Sequence, residues 1–146
     1  MSTYQKILIA IDVNAQYDKV IQKAMTICQS NDALNLLYVP LPMTYINPYL
    51  YGIDYGDIND INRSQKAREK LQDIAEKYAI PDKNIHIKVG DAGDEIKDMA
   101  NQLEADLIVI GTHGRSGIKL LLGSTATAVL HGVKQDVLAV RIHDED

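Results

Sequence analysis

Short apolar runs alternate along this chain with stretches whose apolar residues recur every three or four positions. Lys6-Ile7-Leu8-Ile9-Ala10-Ile11 is β-branched and apolar, and it stops at Asp12. A run of that length and composition predicts a strand. Tyr17, Val20, Ile21, Ala24, Ile27 and Cys28 then recur at helical spacing. Ala33 to Val39 predicts a second strand, ended by Pro40. Ala67, Leu71, Ile74, Ala75 and Tyr78 share one face of a second helix, with Pro81 marking its end. Asn84 to Val89 predicts the third strand, and Ile96, Met99, Ala100 and Leu103 the third helix. Leu107 to Ile110 is the fourth strand, closed by Gly111. Ala126, Val129, Leu130 and Val133 mark a fourth helix, and Val137 to Ile142 the fifth strand.

Strands that alternate with helices build βαβ units and a parallel sheet with helices on both faces. The fold class expected is therefore α/β, an open, doubly wound, Rossmann-like sheet of five strands. Strands buried on both faces read as continuous apolar runs, and the first and fourth do. They belong at the centre. The third alternates Ile85, Ile87 and Val89 with Asn84, His86 and Lys88, the pattern of a sheet edge. The order that follows is 3-2-1-4-5. Strand five, Val137–Ile142, is then the other edge, yet it is apolar. An exposed apolar edge invites pairing. The expected partner is a second copy of the chain through strand five; cover by the tail or a helix is the alternative.

One connection breaks the rhythm. About eighteen residues separate Val39 from the next helix, against a usual loop of about 2–6. This stretch, 40–57, carries Tyr45, Tyr49, Tyr51 and Tyr55. It reads as a lid, a contact surface, or a loop packed on its own side chains.

Composition narrows the class. The chain has 146 residues, the size of one domain spanning 1–146. Its net charge of −5 lacks the basic footprint of a nucleic-acid binder. A lone cysteine, Cys28, excludes an internal disulfide and a multi-cysteine zinc site; its position on the first helix's apolar stripe predicts a core residue. No apolar run is long enough to span a membrane. The first dozen residues lack the charge, apolar stretch and cleavage site of a secretory signal, so a cytoplasmic location is expected.

Candidate chemistry concentrates between Gly111 and Thr125. In open α/β sheets, ligands bind at the carboxyl ends of the strands where the strand order reverses. Asp12 ends strand one and Gly111 ends strand four, so both open onto that crevice. Gly111 and Gly114 allow close backbone approach. Gly123, Ser124 and Thr125 open a helix whose first N–H groups lack intrahelical partners and attract phosphate. Arg115 and Lys119 lie in this segment, and no acidic residue does between Gly111 and Leu130. A glycine turn with an ordinary N-cap at Ser124 is the plainer alternative.

Other motifs are missing. G-x-G-x-x-G, the Walker P-loop and G-x-S-x-G are absent. One carboxylate, Asp12, stands where a phospho-relay receiver needs an acidic pair. The histidines show no metal-ligand spacing. His113 sits within the candidate segment, and His131 is placed to complement a helix dipole.

These residues together resemble the universal stress protein family. The opening strand through Asp12, the segment Gly111-Thr112-His113-Gly114-Arg115 followed by Leu122-Gly123-Ser124-Thr125-Ala126, and Asp136 to Arg141 carry the likeness, which spans the whole chain. Gly90 to Ile96 matches the family's turn into helix three, without the proline often found there. The family's ATP-binding branch carries G-x2-G-x9-G-[ST]. Here eight residues separate Gly114 from Gly123. The acidic tail and the stretch from Asp57 to Asp60 resemble the stress protein A branch, which generally lacks that signature. The resemblance implies an ATP or AMP ligand. Asp12 and Val39 would hold the adenine and ribose end, and Gly111, Gly114, Gly123, Ser124 and Thr125 the phosphates. His113 or Arg115 would add charge, and Ser124 would meet any accompanying Mg²⁺. It implies a dimeric stress-response regulator. A nucleotide-independent dimeric interaction protein and a slow nucleotide hydrolase using His113 are the alternatives. No residue is assigned a catalytic role.

Overall fold

The apolar runs become strands because their alternate side chains are buried on both faces. The structure, a computed structural model, describes residues 4–13, 16–40, 60–111, 129 and 131–142. The strands are β1 Ile7–Ala10, β2 Leu34–Tyr38, β3 Ile85–Ile87, β4 Leu107–Gly111 and β5 Asp136–Val140. They form one sheet in the order β3-β2-β1-β4-β5, every pairing parallel, as the hydrophobic patterning predicted.

Three helices are α1 Tyr17–Met25, α2 Asp60–Lys77 and α3 Ala92–Leu103. Val129, His131 and Gly132 are also helical. Helices α1 and α2 cover one face, where Val20, Ile21, Leu71 and Ile74 meet Ile7, Ile9, Leu34, Leu36 and Val109. Helix α3 and Val129 cover the other, where Ile96, Met99 and Ala100 meet Leu8, Leu37, Ile108 and Ile110. Each fully buried Leu or Ile contributes roughly 1.5–3 kcal/mol. The chain thus winds one way from β1 to β3 and the other way from β3 to β5.

Several boundaries differ from expectation. Helix α1 stops at Met25, so Ile27 and Cys28 lie beyond it. Thr26 Oγ1 donates to Lys23 O at 2.6 Å, a side-chain bond that competes with helix continuation. Cys28 instead forms an isolated parallel bridge with Tyr4 and packs half-buried against the core. Helix α2 ends at Lys77, ahead of Pro81. Ala79 adopts φ 55°, and Ile80 N–H turns back to Ala75 O at 2.8 Å. Strand β5 begins one residue early and ends at Val140. The tyrosine-rich stretch 41–57 lies outside the described residues.

Candidate functional site

Register defines where a ligand could enter. Ala10 of β1 pairs with Leu37 of β2 and with Ile110 of β4. Asp12 and Val39 follow two residues beyond these partners, and Gly111 follows one beyond Ile110. Asp12 and Val39 therefore stand level, with Gly111 one residue short of them, in a staggered row at the C-terminal ends of the central strands. Chain leaving β1 turns to the α1 face, and α3, which feeds β4, covers the other. The strand order reverses between β1 and β4, and that mouth is the position where doubly wound sheets take ligands.

Each residue in the row has its own reason to be there. Ile11 N–H donates to Leu37 O at 3.0 Å, which holds the chain straight as far as the approach to Asp12. Asp12 Oδ2 is shielded from solvent although the residue itself is only half-buried. Val39 packs half-buried on the α3 face beside Ala10. Gly111 answers to packing. A Cβ there would come within 2.5 Å of Ile142 Cδ1 and 3.3 Å of Val20 Cγ2. Both neighbours are core residues. The absence of a side chain at Gly111 is thus accounted for by the joint between β4, α1 and the end of β5. Close approach to a ligand is not needed to explain it.

The turn from β3 into α3 joins the same end and was read from sequence only as a family likeness. Gly90 N–H donates to Pro40 O at 3.3 Å, tying this turn to the residue after Val39. Asp91 caps α3: its Oδ2 accepts from Asp94 N–H at 3.0 Å. Asp94 and Glu95 stand in the first turn, where the helix dipole favours negative charge. The signal was present in the spacing Asp91-x-x-Asp94. His113, Gly114, Arg115, Gly123, Ser124 and Thr125 lie outside the described residues. Among the described residues no group of His, Cys, Asp and Glu could hold a metal ion, and no helix is long and apolar enough to cross a membrane.

Strand order, winding and mouth define an open, doubly wound α/β protein. The chain belongs to the universal stress protein family, whose model matches residues 3–141. It is 39% identical over 146 residues to Universal stress protein A homolog 2 of Coxiella burnetii, covering 97% of this chain and 98% of that one. A universal stress protein crystallised in complex with cAMP superposes with a TM-score of 0.56 at 25% identity, covering 95% of this chain and 98% of that one. A family member from Arabidopsis thaliana with AMP bound superposes with a TM-score of 0.63 over 97% of this chain and 94% of that one; at 15% identity the likeness is one of fold.

Proposed function

We propose that this protein binds an adenine nucleotide, AMP or ATP, in the mouth between β1 and β4 and acts as a dimeric stress-response regulator. The observation that carries the reading is the row of Asp12, Val39 and Gly111 at the point where the strand order reverses. The related protein crystallised with cAMP supports it. Asp12 and the main chain of Val39 take the ribose and adenine. The segment from His113 through Gly114 and Arg115 to Gly123, Ser124 and Thr125 supplies amide donors and positive charge for phosphate, and Ser124 meets any Mg²⁺ that accompanies it. Two or three charge-assisted hydrogen bonds of roughly 1.5–3 kcal/mol each supply about 3–9 kcal/mol toward micromolar binding, about −8 kcal/mol. Dimerisation proceeds through the β5 edge, where Val137 and Leu138 are half-buried and Ala139 is exposed.

The test is direct. Protein purified without added ligand is heat-denatured, and the supernatant is analysed by chromatography for released nucleotide; calorimetry then gives the affinity for AMP and ATP. Gly123→Val fills the phosphate position and abolishes binding. Equal affinity in that variant and the wild type overturns the reading. A second reading is a dimer that works by protein contact alone. It is favoured by the interval between Gly114 and Gly123, one residue shorter than in the ATP-binding branch. Nucleotide-free protein that stays dimeric by light scattering and shows no heat with AMP or ATP would establish it.

A further inference from the structure

The outer side of β3 offers main-chain groups that the sheet does not use. Lys88 N–H donates to Tyr38 O at 3.2 Å and Gly90 N–H to Pro40 O at 3.3 Å, so the pairing with β2 runs on past the end of β3. In a parallel ladder alternate residues turn their N–H and C=O groups to the same side. Those of Ile87 and Val89, between the bonded positions, therefore point away from β2. Ile85 shares that side, with its N–H turned to Asp82 O. No strand lies beyond β3 among the described residues. Val89 is 38% exposed, the one large apolar side chain left so open among the described residues.

The polar side chains on this edge are basic. His86 pairs with Leu37, which faces α3, and Lys88 follows on the same face. His86 is half-buried, its Nε2 at 3.2 Å from Asn35 Oδ1, while Lys88 is exposed. The charges that act on the His86 ring are those of Lys88 and, from α2, Arg68, and both are positive. Carboxylates stand at the ends of the stretch: Asp82 ahead of β3, and Glu95, whose Oε2 lies over Gly90. An edge lysine deters pairing between like strands. Two β3 edges set side by side would bring like charges together, which argues against a second copy as the occupant. A strand with carboxylates opposite His86 and Lys88 meets no such penalty and gains the main-chain bonds of strand addition.

We propose that the outer edge of β3 docks an extended acidic segment of a partner protein, which adds a strand beside Ile87 and Val89 and sets carboxylates against His86 and Lys88. This surface does not depend on nucleotide binding at the β1–β4 mouth.

Titration of the full chain with a blocked peptide of about six residues, alternating valine and glutamate, tests it by nitrogen-15 NMR. The amide signals of Ile87 and Val89 should move and gain protection from hydrogen exchange. Those of Lys88 and Gly90, already bonded, should change less. A matched valine–lysine peptide should not bind. Lys88→Glu should weaken the glutamate peptide about tenfold and admit the lysine peptide, an exchange of preference that misfolding cannot imitate. Carboxylates beside His86 favour its protonated ring. The glutamate peptide should therefore bind more tightly at about pH 6 than at about pH 7.5, and His86→Gln should remove that difference. Four results overturn the proposal. The first is no saturation up to about 5 mM peptide, which places any affinity beyond useful range. The second is equal binding of the two peptides, which leaves no charge recognition. The third is a response confined to Val137, Leu138 and Ala139 on β5, the other edge. The fourth is protection of the Ile87 and Val89 amides before any peptide is added, which would give this edge to the chain itself or to a second copy.

Discussion

The two ends of the sheet are held by different chemistry. At the N-terminal end, polar side chains tie separate segments together. Asp106 accepts two main-chain N–H groups ahead of β1, and Asn84 Nδ2 donates to Asp32 O at 3.0 Å and Leu34 O at 2.9 Å. At the C-terminal end the ties between strands are main-chain ones: Ile11 N–H to Leu37 O, Lys88 N–H to Tyr38 O and Gly90 N–H to Pro40 O. There the row of Asp12, Val39 and Gly111 carries one carboxylate, one modest apolar side chain and none. Polar side chains join separate segments at the N-terminal end, so substitutions there should cost stability. On the proposed function, substitution of Asp12 at the other end should cost affinity. Gly111 is the exception, a cohesive residue at the C-terminal end.

The exception gives the largest effect. Gly111→Val should destabilise the fold by about 3 kcal/mol, because the joint with Ile142 and Val20 is already filled and overpacking costs about 1–3 kcal/mol or more. A thermal melt should fall by roughly 6–12 °C. Trimming the partner, as in Gly111→Ala with Ile142→Val, should recover more than the sum of the two single effects allows. Simple additivity in that cycle would remove Gly111 from the joint. Next is Asn84→Ala, which leaves the carbonyls of Asp32 and Leu34 without this donor and should cost about 2 kcal/mol in denaturant titration. Nucleotide affinity should be unchanged; a parallel loss would erase the contrast between the ends. Asp12→Ala should do the reverse, lowering nucleotide affinity about tenfold or more through one lost charge-assisted hydrogen bond, a larger effect than the one on the melt. An Asp12→Ala protein with full affinity but a much lower melting point would make Asp12 a structural residue.

That contrast also marks what could be seen in the sequence. Strand order was legible because burial on both faces of β1 and β4 leaves unbroken apolar runs, while β3 alternates. Leu71 and Ile74, or Met99 and Ala100, announced helix faces by spacing alone. Helix ends were not legible. Ala79 and Glu104 close α2 and α3 with φ near 55°, a task usually given to glycine, so no glycine flagged them. Cys28 was drawn onto α1 because the bond from Thr26 that ends the helix is a side-chain choice invisible to periodicity. At the site, Asp12 and Val39 follow from strand ends and the family resemblance. Gly111 was read as room for a ligand, because a missing side chain does not say which neighbour excludes it. The hydrogen bond from Gln135 to Asn101 had no sequence signal, because the two lie 34 positions apart and meet only through the crossover from α3 to β5.

The smallest expected effect concerns the β3 edge and places a pH response away from the mouth. His86 is half-buried, with Nε2 at 3.2 Å from Asn35 Oδ1. Burial, and then the positive charges of Lys88 and Arg68, hold its pKa below the usual histidine value. Asn35 does not discriminate, because Nε2–H donates to Oδ1 in both the neutral and the protonated ring. A folded pKa below the unfolded value of about 6.5 means the unfolded chain binds the proton first. The contribution of His86 to stability is therefore complete above about pH 6.5 and declines as the pH falls through the unfolded and then the folded pKa. Acidification from about pH 7.5 to about pH 5.5 should lower the melting temperature of the wild type more than that of His86→Gln. Raised salt should shrink the part due to Lys88 and Arg68, which act across partly solvated distance, and leave the part due to burial. Nucleotide affinity should show no matching change, since His86 is held in the β2–β3 pairing, back from the row that contains Asp12 and Val39. A pH dependence of binding that disappears in His86→Gln would instead couple this edge to the mouth.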